Sequence, residues 1–255
     1  AGVSLIQEMH DESLAFRRAM LQIESDLDKK DWWFKVWQPE VVAKNLRKAS
    51  AHIPPAQQPD SQFRPDAAWH GFDQISDNFV MIDPIKVTLT MPGLGMDGHM
   101  DKQGIPASIV SKFLWSRGIV VEKTNLYSLL VLFSMGITKG KWGTLVAELM
   151  SFKQHYAANS PLSLVLPDLV ASHPQVYADT GLRELCDRLH QFNRQHNVPK
   201  VMREMYVEQP DMAMIPADAY NRLVKGEVEK VEVKQLKGRI AATMLVPYPP
   251  GIPLI

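Results

Sequence analysis

Gly104–Met135, which reads GIPASIVSKFLWSRGIVVEKTNLYSLLVLFSM, carries the clearest helix and strand signals of the sequence. Pro106 suits the first turn of a helix, and Gly118 is typical of the position just past a last turn, so a helix is predicted between them. A short strand is predicted over Ile119–Val121 and a nearly all-apolar strand over Tyr127–Met135. Because a strand that is apolar on both faces is normally covered on both sides, the stretch predicts helices packed on a sheet.

Hydrophobic periodicity predicts further helices and strands on both sides of this stretch. The predicted helices cover residues 4–29, 139–158, 181–196 and 199–207, and another begins at Pro216. The predicted strands cover residues 31–39, 79–91, 228–233 and 240–246. Residues 51–66 and the segment that holds Pro167 and Pro174 are predicted as loops. A break at residues 159–161 marks a predicted domain boundary, and the predicted fold class is α+β in two units.

The composition excludes several classes of function. The chain has 28 basic and 28 acidic side chains, so its formal charge is zero, whereas a nucleic-acid or membrane-surface binder needs a basic excess. No apolar run reaches the roughly 18–20 residues of a membrane helix. The single cysteine, Cys186, excludes an internal disulfide framework and a cysteine-rich zinc site. A globular protein of the cytoplasm is predicted, without nucleic-acid or membrane partners.

Both ends are unusual for a complete natural chain. The sequence begins with Ala1-Gly2-Val3 and enters a helical pattern at once. It ends with Pro247–Ile255, which is apolar and rich in proline, whereas native termini are usually polar and frayed. The expectation is that this chain is a piece of a longer polypeptide.

One glycine-rich turn has the spacing of a dinucleotide-binding motif. Gly93–Gly98 reads GLGMDG and follows a predicted strand, and Glu122 lies 24 residues past Gly98. A dinucleotide site needs the last glycine at a helix N-terminus, but the next helix begins near Pro106, eight positions later. A surface hairpin or loop is therefore the favoured interpretation, with a nucleotide site as the weaker alternative.

Other catalytic motifs are rejected. Gly140-Lys141 resembles a phosphate-binding loop, but Trp142 stands where a metal-binding Ser or Thr is needed. The eight histidines lack the spacing of a helical zinc site, so no metal site is predicted, and His190 and His196 are predicted to be solvated. No G-x-S-x-G motif is present to support a hydrolase triad.

Two residues are candidates for a binding site. Glu122 lies at the end of a predicted strand beside a buried sheet, where a carboxylate is a strong partner for a cationic ligand. The alternatives are an ion pair with Lys123 and an exposed turn. Tyr248 lies between two prolines that fix the backbone, so its ring either serves a pocket or closes the domain as a wedge.

Five segments occur in an order that resembles a known family. They are WHGF (69–72), DPIKVTL (83–89), GIPASIVSKFLWSRGIVVEKT (104–124), LVLFSMGITKGKWGTLV (130–146) and GRIAATMLVPYPPGIPL (238–254). Together they resemble the C-terminal portion of the bacterial ornithine, lysine and arginine decarboxylases. These enzymes use pyridoxal 5'-phosphate, and the resemblance is greatest to the pseudomonad-type lysine decarboxylases.

The resemblance implies the organisation of a fold-type-I enzyme. Residues 1–13 would be the exit from the large cofactor-binding domain. Residues 14–159 would be a small aminotransferase-like domain with an antiparallel or mixed sheet, and residues 160–255 an incomplete α+β C-terminal domain. It also implies a homodimer that builds larger rings, a decamer foremost, and a role in polyamine biosynthesis. Lysine, arginine or ornithine would be the substrate.

The resemblance implies that the catalytic lysine lies upstream of this chain. The family carries that lysine in a Ser-x-x-His-Lys motif, and no His-Lys dipeptide occurs among the 255 residues. The chain alone is therefore expected to be inactive and to contain no catalytic residue. Glu122 matches a glutamate that is expected to bind the substrate's distal ammonium, and Tyr248 matches a tyrosine near the same site. The alternative is an interaction module with a role in assembly only.

Overall fold

The computed structural model describes residues 2–28, 31–40, 43–44, 46, 70, 82–207 and 211–246. The chain divides into two compact units, residues 1–196 and residues 197–255. The first unit combines helices with an antiparallel sheet, which confirms the predicted α+β class. Among the described residues, no helix is both long enough and apolar enough to cross a membrane.

The sheet of the first unit has four short strands in the order β1-β2-β4-β3. They are β1 (Lys35–Val36), β2 (Lys86–Thr90), β3 (Lys123–Thr124) and β4 (Ser128–Leu132). All three pairings are antiparallel, and β2 and β4 form the longest ladder, from Lys86 opposite Leu132 to Thr90 opposite Ser128. Val87 and Leu89 are buried, as their alternation with polar neighbours predicts. The sheet therefore presents one face to the core.

Helices of the first unit lie around this sheet. They are α1 (Gly2–Asp26), α2 (Ala107–Trp115), α3 (Lys139–Ala157), α4 (Leu162–Val165), α5 (Pro167–Ser172), α6 (Pro174–Tyr177) and α7 (Leu182–Gln195). The second unit contains α8 (Val198–Val207), α9 (Pro216–Val224) and a 3-10 turn at Val233–Gln235. The longer helices occur where the periodicity predicts them, which confirms those predictions.

An aromatic cluster fills the core of the first unit. Phe113 of α2 and Phe152 of α3 meet edge to face, with ring centroids 5.2 Å apart. Phe34, Phe16 and Phe133 are buried as completely as these two. Edge-to-face pairs of this kind add about 0.5–1.5 kcal/mol beyond the burial of their area. The cluster therefore joins α1, α2 and α3 to the sheet.

A buried arginine ties α1 to the start of β2. The Arg17 guanidinium is 2% exposed and donates hydrogen bonds to Gln38 Oε1 at 3.0 Å and to the carbonyls of Pro84 and Lys86. Burial lowers its pKa to about 10, and the charge of Asp83 partly opposes this shift. Because these carbonyls belong to the chain that leads into β2, Arg17 fixes the strand against the helix.

The strand predictions in the first unit are wrong in extent. Of the predicted 79–91 only Lys86–Thr90 is a strand among the described residues, and of Tyr127–Met135 only Ser128–Leu132. Residues 119–121 are not a strand, because the chain there closes the end of α2: Gly118 has a φ of 76° and Ile119 N–H donates to Leu114 O. The strand starts only at Lys123. Within residues 31–39 only Lys35–Val36 is paired, and residues 79–81 lie outside the described part.

The segment predicted as a loop with Pro167 and Pro174 is also different. It forms the three short helices α4, α5 and α6, and each of the two prolines occupies a first helical position. A proline is favourable there because its missing N–H has no partner within the helix. The prolines therefore begin helices in this segment.

The two strands predicted in the second unit are absent from its described residues. Residues 228–232 are irregular, Val233 enters the 3-10 turn, and residues 240–246 form no ladder. None of the described residues of this unit is buried. An alternating pattern becomes a strand only when a neighbouring strand pairs with it, and in this unit Leu245 alone of the described residues takes part in a β-bridge.

The first unit extends beyond the predicted break at residues 159–161. Asn159 adopts a left-handed conformation (φ 48°), and its Oδ1 accepts a hydrogen bond from Glu184 N–H in the first turn of α7. Leu162, Leu182 and Cys186 belong to the same core cluster as the sheet. The family boundaries at 1–13, 14–159 and 160–255 describe a longer protein and stay a prediction.

The buried thiol of Cys186 predicts a loss of stability at alkaline pH. Burial raises the pKa of Cys186, and the charge of Asp187 adds to this shift. The neutral thiol is favoured by folding, so its stabilising effect is complete below the unfolded pKa of about 8.5 and is lost as pH rises above it. Between about pH 9 and 10, the Cys186 thiol should lower the free energy of unfolding by about 1.4 kcal/mol per pH unit.

Urea denaturation of the chain and of its Cys186→Ala variant measures this effect. The variant should lose less stability than the parent between about pH 8 and 10, because it lacks the thiol. Because the charge of Cys186 also raises the pKa of Tyr127 and Tyr156, the difference between the two proteins measures the thiol together with this coupling. Parallel stability curves for the two proteins would contradict the prediction.

Candidate functional site

Glu122 lies just before the edge strand β3. Its backbone N–H donates to Leu130 O at 2.8 Å, which extends the β3–β4 ladder by one residue. The side chain is exposed, and no ion pair joins it to Lys123 or to another described residue. The alternative interpretation, in which Glu122 forms an ion pair with Lys123, is therefore wrong. The carboxylate is available to a cation, although within this chain it is not desolvated as expected.

The hairpin that carries Glu122 is held at several points. Thr124 Oγ1 donates to Ser111 Oγ of α2 at 2.9 Å, and Thr124 is buried. At the turn, Asn125 N–H donates to Ser128 O, and the Asn125 side chain accepts from Leu126 N–H. The backbone around Glu122 is therefore well supported.

The prediction that His190 is solvated is wrong, because His190 is 1% exposed. Its Nδ1 lies 2.6 Å from Tyr127 Oη and its Nε2 lies 2.9 Å from Asp101 O. Asn193 Nδ2 donates to the same Tyr127 oxygen at 3.2 Å. We define Tyr127, His190 and Asn193 as the hairpin anchor. His196, by contrast, is exposed, as predicted.

The glycine-rich turn is a loop stabilised by its own backbone, as the favoured interpretation predicts. Gly95 N–H donates to His99 O, and Leu94 pairs with Met100 in an antiparallel bridge. A Cβ on Gly104 would lie 2.4 Å from His190 Nδ1 and 2.8 Å from Gly93 Cα. Helix α2 begins only at Ala107. The turn therefore needs Gly93 and Gly104 for close packing against His190, and it presents no helix N-terminus to a phosphate.

A cavity of about 560 Å³ lies beside β1, next to this turn. Its walls include two tryptophans and four acidic residues, namely Trp32, Trp33, Glu24, Asp28, Asp31 and Asp101. Lys153 Nζ lies 2.6 Å from Asp31 Oδ2 and lowers the pKa of that carboxyl. The strands β1 and β3 are the two edges of the four-stranded sheet. Glu122 lies just before β3, so the cavity beside β1 is on the order of 14 Å away across the sheet.

The described residues do not fit pyridoxal 5'-phosphate. A lysine that forms a Schiff base with a cofactor is normally enclosed by the protein, which tunes its pKa. Fourteen of the chain's lysines are described; Lys153 is half-buried and bound to Asp31, and the others are exposed. Tyr248 lies outside the described residues.

The described residues also contain no group of three or more His, Cys, Asp or Glu side chains that could hold a metal ion. The sequence predicts a role for Glu122, which stays a prediction, and gives no indication of the contacts among Tyr127, His190 and Asn193. The nearest signal is the i, i+3 spacing of His190 and Asn193, which places them on one face of α7.

Comparison with known proteins identifies the family. The model of the Orn/Lys/Arg decarboxylase major domain matches residues 1–141, and the model of the C-terminal domain of these decarboxylases matches residues 199–255. The lysine decarboxylase LdcA of Pseudomonas aeruginosa is 55% identical over 255 residues, which cover 100% of this chain and 33% of that protein. The biodegradative arginine decarboxylase of Escherichia coli is 40% identical over 263 residues, which cover 100% of this chain and 35% of that protein.

Solved structures agree with this result. Lysine decarboxylase A from Pseudomonas aeruginosa superposes with a TM-score of 0.89 at 55% identity, covering 100% of this chain and 33% of that one. The constitutive lysine decarboxylase of Escherichia coli superposes with a TM-score of 0.86 at 38% identity, covering 99% and 33%. The chain thus spans about a third of the length of these relatives. With a family model matching more than half of its residues, the chain belongs to the Orn/Lys/Arg decarboxylase family.

Proposed function

We propose that this chain is part of a pyridoxal-phosphate-dependent decarboxylase of basic amino acids, with lysine as the substrate and cadaverine as the product. The observation that carries the proposal is the 55% identity with a lysine decarboxylase across the whole chain. Relatives named for arginine and ornithine make agmatine and putrescine the alternative products. The enzyme would work in the cytoplasm as a homodimer that assembles into larger rings.

In this proposal, the cofactor is held by residues outside the chain. Pyridoxal phosphate supplies an electron sink for the carbanion left by loss of CO₂. Because no His-Lys motif occurs in this chain, its role would be in substrate recognition and in assembly surfaces. Alone, it should be inactive.

Glu122 is the proposed partner of the substrate's distal ammonium. Its carboxylate is free of ion pairs among the described residues, and the hairpin holds its backbone in place. A carboxylate bound to an ammonium makes a charge-assisted hydrogen bond, which is about twice as strong as a neutral one. In the full-length enzyme, the remaining two thirds of the protein would cover Glu122 and exclude water. Tyr248 is proposed near the same site on the resemblance.

Turnover measurements on the full-length enzyme and on this chain test the proposal. With pyridoxal phosphate, the full-length enzyme should release CO₂ from lysine with a higher kcat/KM than from arginine or ornithine. The 255-residue chain should show no turnover and no visible absorption band of bound pyridoxal phosphate. Equal or higher activity on arginine or ornithine would overturn the lysine assignment. A cofactor band in the chain alone would contradict the upstream location of the lysine.

The second candidate is an interaction module with a role in assembly alone. The apolar side chains exposed on the second unit favour it, among them Met212, Ile215, Tyr220, Val233 and Met244. Exposed apolar side chains mark a protein interface where they form a contiguous patch. If the full-length protein lacks decarboxylase activity with all three substrates yet still assembles, this candidate replaces the enzyme.

A further inference from the structure

The hairpin β3–β4 gives Glu122 a fixed position relative to its turn. Lys123 pairs with Leu130 and Thr124 with Leu129, and Glu122 N–H donates to Leu130 O at the open end. Tyr127 lies in the turn at the other end, directly before β4. With only two ladder residues in β3, a movement of the turn is transmitted along the hairpin to Glu122.

The hairpin anchor fixes this turn from α7. The Asp101 carbonyl can only accept a hydrogen bond, so His190 Nε2 carries the proton and donates to it. In the tautomer with its proton on Nε2, Nδ1 accepts from Tyr127 O–H at 2.6 Å, and the Tyr127 oxygen accepts from Asn193 Nδ2. His190 and Tyr127 also meet edge to face, with centroids 5.5 Å apart.

Burial makes this arrangement difficult to distort. Tyr127, His190 and Asn193 are 4%, 1% and 5% exposed, so a broken hydrogen bond is not replaced by one to water. Burial raises the pKa of Tyr127, which keeps its hydroxyl protonated and able to donate. His190 Nδ1 and Cε1 also pack closely against Gly104 and Gly93, where any Cβ would crowd the ring.

We infer that Tyr127 and His190 are positioning residues for Glu122. The anchor sets the hairpin turn, and the turn sets the direction in which Glu122 presents its carboxylate to the substrate's ammonium. This inference rests on the proposed function of Glu122. The contact of Thr124 with Ser111 holds the hairpin independently, so loss of the Tyr127 hydroxyl should shift the carboxylate without unfolding the hairpin.

A double-mutant cycle in the full-length enzyme tests the inference. Tyr127→Phe should raise the KM for lysine about three- to tenfold and leave kcat within about twofold, because a shared loss of ground-state and transition-state binding appears in KM. In a Glu122→Gln background, the same Tyr127 substitution should change KM less than about 1.5-fold, since the two residues act through one contact. A purely structural role would give the same KM factor in both backgrounds.

Matched variants separate the possible results. Tyr156→Phe removes another half-buried hydroxyl, remote from the hairpin turn, and should leave KM unchanged. His190→Asn keeps an acceptor near Tyr127 and should retain a lower KM than His190→Gln, which keeps only the donor toward Asp101. An unchanged KM in Tyr127→Phe, additive effects in the cycle, or equal KM values for the two His190 variants would overturn the inference. If Glu122→Gln alone has no effect, the proposed role of Glu122 fails first, and the inference fails with it.

Discussion

Substitution of Glu122 by Gln in the full-length enzyme should raise the KM for lysine about ten- to hundredfold, the range expected for loss of one charge-assisted hydrogen bond. Gln keeps the length and the acceptor oxygen of Glu but removes the charge that attracts an ammonium. If Glu122 holds the distal end of the substrate equally in the ground and transition states, kcat should change little. Steady-state kinetics with lysine measures both constants.

Two controls show whether the effect is specific to substrate binding. Glu184→Gln removes an exposed carboxylate from the first turn of α7 and should leave the KM for lysine unchanged. Cofactor absorbance of the Glu122 variant should equal that of the parent, because Glu122 is not proposed to contact the cofactor. Unchanged kinetics in Glu122→Gln would remove this residue from the substrate site.

Substitution of Phe113 by Ala should lower the free energy of unfolding of the first unit by about 3–5 kcal/mol, the usual range for a buried phenylalanine. Phe113 is 0% exposed and meets Phe152 edge to face. The Arg117 guanidinium also covers its ring, 3.4 Å from the ring centroid, so the truncation removes a cation–π contact as well. Urea denaturation followed by circular dichroism measures the change.

Trp115 provides a matched control on the same helix. It is an aromatic residue of similar size but is 56% exposed, and Lys112 Nζ lies 4.4 Å from its ring centroid. Trp115→Ala should therefore cost less than about 1 kcal/mol. If the two alanine variants lose stability equally, α2 does not pack its Phe113 face against the core as described.

The helices were the most predictable part of the fold. Gly118 ends α2 with a φ of 76°, and the apolar stripe of α3 buries Trp142, Leu145, Leu149 and Phe152. These features depend on neighbours three or four residues apart, so a local pattern contains the necessary information. The prediction for Glu122 likewise depends on a continuous segment, and it stays a prediction.

The strands and the buried polar groups were less predictable. Residues 119–121 have the composition of a strand, but the Ile119 N–H donates to Leu114 O and closes the end of α2. The polar face of α7 suggested a solvated His190, yet the side chain is buried against Gly93 and Gly104, which lie more than 80 positions earlier. A short segment of sequence contains no information about a contact between residues so far apart.

The neutral, single-cysteine composition, the helix positions and the family motifs could all be read without coordinates, because each depends on residue types or on short spacings. Only the tertiary structure shows the exposure of Glu122, the division of the chain after His196 and the hairpin anchor. Each of these depends on which distant segments meet. The same local pattern is compatible with many arrangements of helices and strands, and close packing between these elements determines which distant segments come into contact.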